Sequence, residues 1–406
     1  MKKEVDVSPV ARTEFAHTEV QAIKEAEPEK SFRFYDNRQK YLMFVNTCSE
    51  KRVVSERIAL ELDQIHPRPP AVRVFDAGVG DGTVLARVLR SMHQRYEHLP
   101  YYVVGKEISL EDIRLTLEKL PDRFHEHPAM VVVLTNLYYH EAPYLSPSSA
   151  SSTSRLVWHE VALTGRTAAE YERQINDLEP FLAQHWKASV SKKSGNPVYE
   201  RPVVLVLYLQ SCRFLLDQVI PKQSAIVADY DLVIASQPYR ARASAEFKAK
   251  KVVAPLALAL APGGRLVGIH SCGNDPGLEI IQSVWPGEQP FANDRRDILR
   301  ETKVAMGHEA RQYNFNALTD KQSRFKYVMY TLPNEIDADA TSIGTSTMFA
   351  AWNNASYVAQ IEDDRLARAM TDDRYLACTK EILRKHNGLW FWDESYVISR
   401  NHQPLK

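Results

Sequence analysis

Between Ala71 and Asn136 the sequence keeps switching its hydrophobic period, and that switching restricts what the chain can fold into more than any other feature. An apolar run ending in glycines (AVRVFDAGVGDG) gives way to a helical pattern (TVLARVLRSMHQRY), then to YYVVGKE, SLEDIRLTLEKL and AMVVVLTN. Apolar runs of strand length alternating with amphipathic helical stretches predict βαβ units and a parallel sheet in an α/β fold. The pattern breaks at a Ser-rich stretch, YLSPSSASSTS, read as an exposed linker, and resumes with YDLVIASQPY, a helix through FKAKKVVAPLALAL, the turn APGG and the strand RLVGIHS.

The 406 residues are expected to divide into an N-terminal arm and helical cap (1–68), a first core half (69–142), an insertion (143–225) and a second core half with C-terminal helices and strands (226–406). Residues 1 to 30 read as a frayed arm, and two helices are predicted before the proline cluster HPRPP. The insertion reads as a strand (RLVWHEVAL), one helix (TAAEYERQINDLEPFLAQHW), a loop and a strand-to-helix run; TSTMFAAW and LWFWDESYVIS are the late strand candidates.

Composition narrows the function classes. Lys+Arg and Asp+Glu number 51 each, so no global cationic field draws the chain to nucleic acid or anionic membrane. A local groove built on Lys192, Lys193 and Arg201 would be the exception. Cys48, Cys212, Cys272 and Cys378 form no CxxC pair, which argues against a disulfide framework and against a metal site. The charged start lacks a secretory apolar core, and the longest apolar run, Ala254 to Ala261, is too short to span a bilayer. The cytoplasm is the expected location.

The richest stretch is VFDAGVGDGTVLARVLR, where a strand ends at Asp76 and Gly78, Gly80 and Gly82 open a helix. Glycines at such density suit a sharp turn or a backbone that a ligand approaches closely. The spacing is G-x-G-x-G rather than the dinucleotide G-x-G-x-x-G, and Asp76, two positions before the first glycine, repels a pyrophosphate while suiting a cationic ligand. Glu107 closes the next strand, near the offset of about 20 residues at which Rossmann-type folds put a carboxylate on ribose hydroxyls.

In that order, the D-A-G-V-G-D-G loop, the acidic end of the second strand, YDLVIASQPY and APGGRLVGIHS resemble a class I S-adenosylmethionine-dependent methyltransferase over about residues 70–140 and 225–272. The resemblance implies a Rossmann-like, seven-stranded sheet with its last strand antiparallel. It implies S-adenosyl-L-methionine as cofactor, held by Asp76, Gly78, Gly80, Asp81, Gly82 and Glu107, with Asn136 near the adenine. Ser236, Gln237 and Tyr239 stand where methyltransferases acting on nitrogen often carry Asn, Asp or Ser followed by Pro-Pro and an aromatic; Gln237 departs from that pattern. His270 is a candidate general base, and Phe34, Tyr35 and Tyr41 are candidates for an aromatic lid. Tyr138, Tyr139 and His140 follow the third strand and read either as lid or as core.

The expected activity is methyl transfer to a small polar acceptor, nitrogen ahead of oxygen, without nucleic acid or membrane as partner. The alternatives are aminopropyl transfer of the spermidine synthase type, a nucleic-acid or protein methyltransferase, and a non-catalytic scaffold. Spermidine synthases need carboxylates where this chain has Thr135-Asn136 and Ser236-Gln237.

Overall fold

The computed structural model describes residues 38–191, 197–223, 226, 228–331, 335–336 and 343–402. The predicted arm, Phe34, Tyr35, Lys192 and Lys193 lie outside them.

The strands are β1 (Val72–Asp76), β2 (Tyr101–Lys106), β3 (Met130–Thr135), β4 (Val157–Leu163), β5 (Ala188–Val190), β6 (Pro197–Tyr199), β7 (Val203–Leu209), β8 (Tyr230–Ser236), β9 (Leu260–Ser271), β10 (Tyr313–Asn316), β11 (Arg324–Val328) and β12 (Trp390–Arg400). β5 and β6 pair only with each other; the remaining ten form one sheet, in the order β10-β12-β9-β8-β1-β2-β3-β7-β4, with β11 also on β12. From β1 the chain builds outward through β2 and β3 on one side and through β8 and β9 on the other, all parallel. That reversal leaves a crevice at the carboxyl ends of β1 and β8, where open α/β sheets bind ligands.

Ten strands rather than seven correct the expected sheet. Within them, β3-β2-β1-β8-β9-β12-β10 reproduces the implied arrangement, β12 lying antiparallel to β9. The additions are β11 on β12, and β7 and β4 beyond β3; β7 runs antiparallel to β3. β4 and β7 come from the stretch read as an insertion, so part of that stretch widens the sheet.

β2, β3 and β7 are buried along their whole length, because both faces are covered. Val74, Val103, Val132 and Leu232 belong to one apolar layer, and Phe75, Val104, Val133 and Val233 to the other. A third cluster forms around α1 (Arg38–Thr47) and its neighbours, with Phe44 5.0 Å from the ring of Tyr357 and 6.1 Å from that of Tyr327. α2 (Glu50–Leu62) packs on α3 (Thr83–Arg95), whose Val84, Leu85, Val88, Leu89 and Met92 recur at helical spacing.

Two local expectations change. TSTMFAAW is the start of a helix, Thr345–Val358, because the buried set Thr347, Ala351, Trp352, Asn354 and Ala355 follows a helical rather than an alternating period. The single helix expected over TAAEYERQINDLEPFLAQHW is two, Ala168–Asn176 under a Thr167–Glu170 capping box and Glu179–His185 restarting at Pro180.

Candidate functional site

The site begins where β1 ends. The Asp76 carboxylate turns back to accept the Gly78 N–H at 3.1 Å, which starts the loop. Gly80 and Gly82 then take positive φ, 54° and 78°. At Gly82 a Cβ would lie 2.8 Å from the Thr116 Cα, so glycine there lets α4 (Leu110–Glu118) pack on the loop. Thr116 Oγ1 donates to the Gly80 carbonyl at 2.7 Å, and Lys119 Nζ donates to the Asp81 carbonyl at 2.6 Å. Gly78 differs: among the described residues a Cβ there would meet only the Ser236 carbonyl oxygen, at 4.0 Å. That open position joins the glycine loop to the end of β8.

Glu107 ties the loop to β2. Its Oε2 accepts the Gly80 N–H at 3.1 Å, and its Oε1 accepts the N–H groups of Ile108 at 2.7 Å and Ser109 at 2.9 Å. A carboxylate offers about four acceptor sites, so one remains for a ligand. Asp81 accepts from Tyr41 Oη at 3.1 Å and from the Thr83 hydroxyl. Tyr41 therefore brings α1 onto the loop.

These carboxyl groups share one electrostatic setting. Burial lifts Asp76 to about 7, the Glu107 charge adding to it and the Gly78 N–H and Lys51 opposing. Burial and then Glu107 also raise Asp112, in the first turn of α4. Burial works against ionised Asp81, but Lys51, Thr83 and Lys119 outweigh it and hold that carboxyl low. The mouth of the crevice is acidic, with Lys51 from α2 as a compensating cation.

The polar residues after β8 divide. Ser236 ends β8 half-buried. Gln237, at φ 48°, donates through Nε2 to Ser271 Oγ at 3.0 Å and to Asp393 at 3.3 Å. Tyr239 turns into the core: it is 8% exposed, its hydroxyl 3.4 Å from that of Tyr396, with Lys248 Nζ 5.1 Å from its ring centre. His270 lies in the same layer, its Nε2 3.3 Å from Glu394 Oε1. Burial alone would raise Glu394, but His270 and Arg295 prevail and hold it at about 2. Tyr239 and His270, ring centres 5.9 Å apart, thus belong to a buried network with Tyr396, Lys248 and Glu394 beside β9 and β12.

Asn136 is committed as well. Its Nδ2 donates to the Arg201 carbonyl and its Oδ1 accepts the Val203 N–H, both at 2.8 Å, so the amide fastens β3 to β7. Tyr139, three residues on, lies nearer these carboxyl groups: it donates to the Pro238 carbonyl at 2.6 Å, carries Lys106 Nζ 4.7 Å from its ring centre, and has its phenol raised by burial, then by Glu107 and Asp76. Tyr139 had a signal, its place after the third strand. Glu50, Lys51, Asp112 and Asp393 carried none, since they sit on helices and a distant strand with no motif around them.

Among the described residues no cluster of three metal-ligating side chains forms, and no helix is long and apolar enough to cross a membrane.

No protein-family model matches the chain, and no curated protein matches it. Among solved structures it is similar to a geranyl diphosphate methyltransferase in complex with GPP and sinefungin, at 11% identity and a TM-score of 0.33 over 85% of this chain and 77% of that one. It is also similar to a Haemonchus contortus phosphoethanolamine N-methyltransferase in complex with phosphomonomethylethanolamine and S-adenosylhomocysteine, at 10% identity and a TM-score of 0.29 over 86% and 53%. Likenesses of this size identify neither an acceptor nor a chemistry. The strand order itself establishes a Rossmann-like α/β fold.

Proposed function

We propose that the protein is an S-adenosylmethionine-dependent methyltransferase acting on a small polar acceptor, with nitrogen ahead of oxygen. One observation carries the reading: Glu107, at the carboxyl end of β2, holds the Gly80 N–H of a glycine loop at the carboxyl end of β1, beside the reversal of strand order. The residues fit the cofactor by charge and by space. Asp76, Asp81, Glu107 and Asp112 suit a ligand carrying ammonium and sulfonium charges and a ribose diol, and they oppose a pyrophosphate. The open face of Gly78 admits a ligand against the backbone.

On this reading Glu107 holds the ribose, the Gly78–Gly82 loop lies along the amino-acid part, and Tyr41 closes over the loop from α1. When bound, the cofactor supplies an electrophilic methyl group. The protein then contributes alignment and exclusion of water rather than covalent chemistry. Four free cysteines keep a reducing cytoplasm as its proposed compartment.

The test is calorimetry with S-adenosylhomocysteine, S-adenosylmethionine and NAD, followed by transfer of a labelled methyl group into fractionated extract. Binding of the first two without NAD, and label in a small molecule, is the expected result. Binding of NAD alone would overturn the proposal, and cofactor binding without transfer would favour a scaffold.

A further inference from the structure

Consecutive residues of a strand point to opposite faces, and the end of β2 uses both. Gly105 faces the layer of Leu134 and Val79, which a Cβ there would meet, and Glu107 ties itself to Gly80. Lys106 leaves between them on the face of Val104, and its Nζ stands 4.7 Å from the ring centre of Tyr139, which packs on that same layer. Tyr139 follows β3, and its hydroxyl donates to the Pro238 carbonyl beyond β8 at 2.6 Å. In the sheet β2 and β1 lie between β3 and β8, so this bond reaches across their carboxyl ends. The Lys106 carbonyl accepts the Val79 N–H at 3.1 Å, which fixes the lysine beside the glycine loop.

Lys106 is the uncommitted cation of this region. It is 9% exposed, and its ammonium, with three N–H donors, has no hydrogen bond and no ion pair among the described residues. The Tyr139 ring attracts the charge without accepting a conventional hydrogen bond. By contrast, Lys51 Nζ lies 3.5 Å from Glu50, and Lys119 donates to the Asp81 carbonyl. Burial draws the Lys106 ammonium below the ordinary lysine value, with Glu107 opposing. A buried ammonium that lacks an acceptor is costly, and a bound oxyanion removes that cost. Lys106 Nζ also keeps contact with solvent, unlike the sealed polar atoms of Glu50 and His270, and Tyr139, Ser236 and Gln237 around it are half-buried. The ammonium therefore borders open space at the strand ends. Glu107, pointing to the other face, is the group assigned to the cofactor's ribose, which leaves the Lys106 face to the second substrate.

We propose that Lys106, held over Tyr139, binds an oxyanion of the methyl acceptor, so that the acceptor is a small molecule carrying a carboxylate or phosphate group. This rests on the methyl-transfer reading and narrows it to acidic or zwitterionic acceptors. Lys106 selects the acceptor by charge, and the cofactor is held without it.

The test uses the full chain, methyl-labelled S-adenosylmethionine and the small-molecule fraction of a cell extract, passed over a strong anion exchanger at about pH 11, where most amines are uncharged and acid groups are retained. Both fractions are neutralised and assayed. Label acceptance in the retained material is the expected result, and this arm needs no variant. Lys106→Met should raise half-saturation by that material about tenfold or more, and Lys106→Arg should restore most of the loss. S-adenosylhomocysteine affinity by calorimetry should stay at the wild-type value in both. Acceptor material that passes the resin overturns the proposal. So does wild-type half-saturation in a folded Lys106→Met, or a parallel loss of S-adenosylhomocysteine affinity, which would put the ammonium on the carboxylate of the cofactor. Wild-type protein that binds S-adenosylhomocysteine but labels nothing rejects methyl transfer itself, and this inference with it.

Discussion

Around the ends of β1 and β2 the crevice is made chiefly of backbone: the N–H groups of Gly78, Gly80, Ile108 and Ser109 are fixed by Asp76 and Glu107, all within one βαβ unit. Around the ends of β8, β9 and β12 the contacts are made by side chains, with Gln237, Ser271 and Asp393 hydrogen-bonded together from three distant parts of the chain. A backbone site needs a contiguous motif, because glycine spacing sets its geometry. A side-chain site needs only that the sheet bring the right groups together, and it can change acceptor without changing fold.

The sharpest break in that contrast is a glycine whose space is filled by protein. Gly82→Val places side-chain atoms against the Thr116 backbone at φ 78°, and it should cost about 3 kcal/mol or more of stability, read by denaturant unfolding. Gly78→Ala is the control: its neighbourhood is open, so melting should hold while cofactor affinity falls. If both glycines affect melting alike, the loop is a structural turn.

Next in size, Glu107→Ala should weaken S-adenosylhomocysteine binding by about tenfold to a hundredfold, the worth of a charge-assisted hydrogen bond of about 1.5 to 3 kcal/mol. Calorimetry on the folded variant decides it, and unchanged affinity would remove Glu107 from the ribose.

The acidity of the backbone half gives a pH dependence. Asp76, held at about 7 by burial, is protonated more readily in the folded than in the unfolded chain. Its contribution therefore stabilises the unliganded protein at low pH and is lost as pH rises toward 7. A cationic ligand favours the ionised form, so its affinity should climb with pH up to about 7, by as much as about tenfold per unit. Asp76→Asn should flatten that climb in calorimetric titrations across the range.

The smallest effect expected is at Tyr239. Among the described residues its hydroxyl meets only that of Tyr396, at 3.4 Å, so Tyr239→Phe should cost about 1 kcal/mol or less and leave kcat near wild type. A large loss of kcat with unchanged melting would return Tyr239 to the acceptor site.

The backbone half was legible in the sequence because its residues are contiguous and chemically unusual. The side-chain half, around the end of β8, was only partly legible. Ser236 and Gln237 stood out as a motif, but the direction of the next side chain depends on a positive φ at Gln237, which residue identity does not encode. Tyr239 is accordingly in the core. Asn136 resembles a ligand contact because turn asparagines look alike; its partners Arg201 and Val203 lie 65 and 67 residues on, past an interruption that hides the pairing. The sequence marks β4 and β7 as strands but not their place in the main sheet, because pairing at the β3 edge depends on long-range contacts.

β12 pairs with β9, β10 and β11 and also carries Asp393 and Glu394. During synthesis the glycine loop leaves the ribosome long before β12 does. Until then β9 exposes the backbone edge that β12 will cover, an invitation to mispairing with other chains. The nascent protein is thus most prone to aggregate in the interval when it already holds the glycine loop and still lacks Asp393. A chaperone that shields the β9 edge would act in that interval.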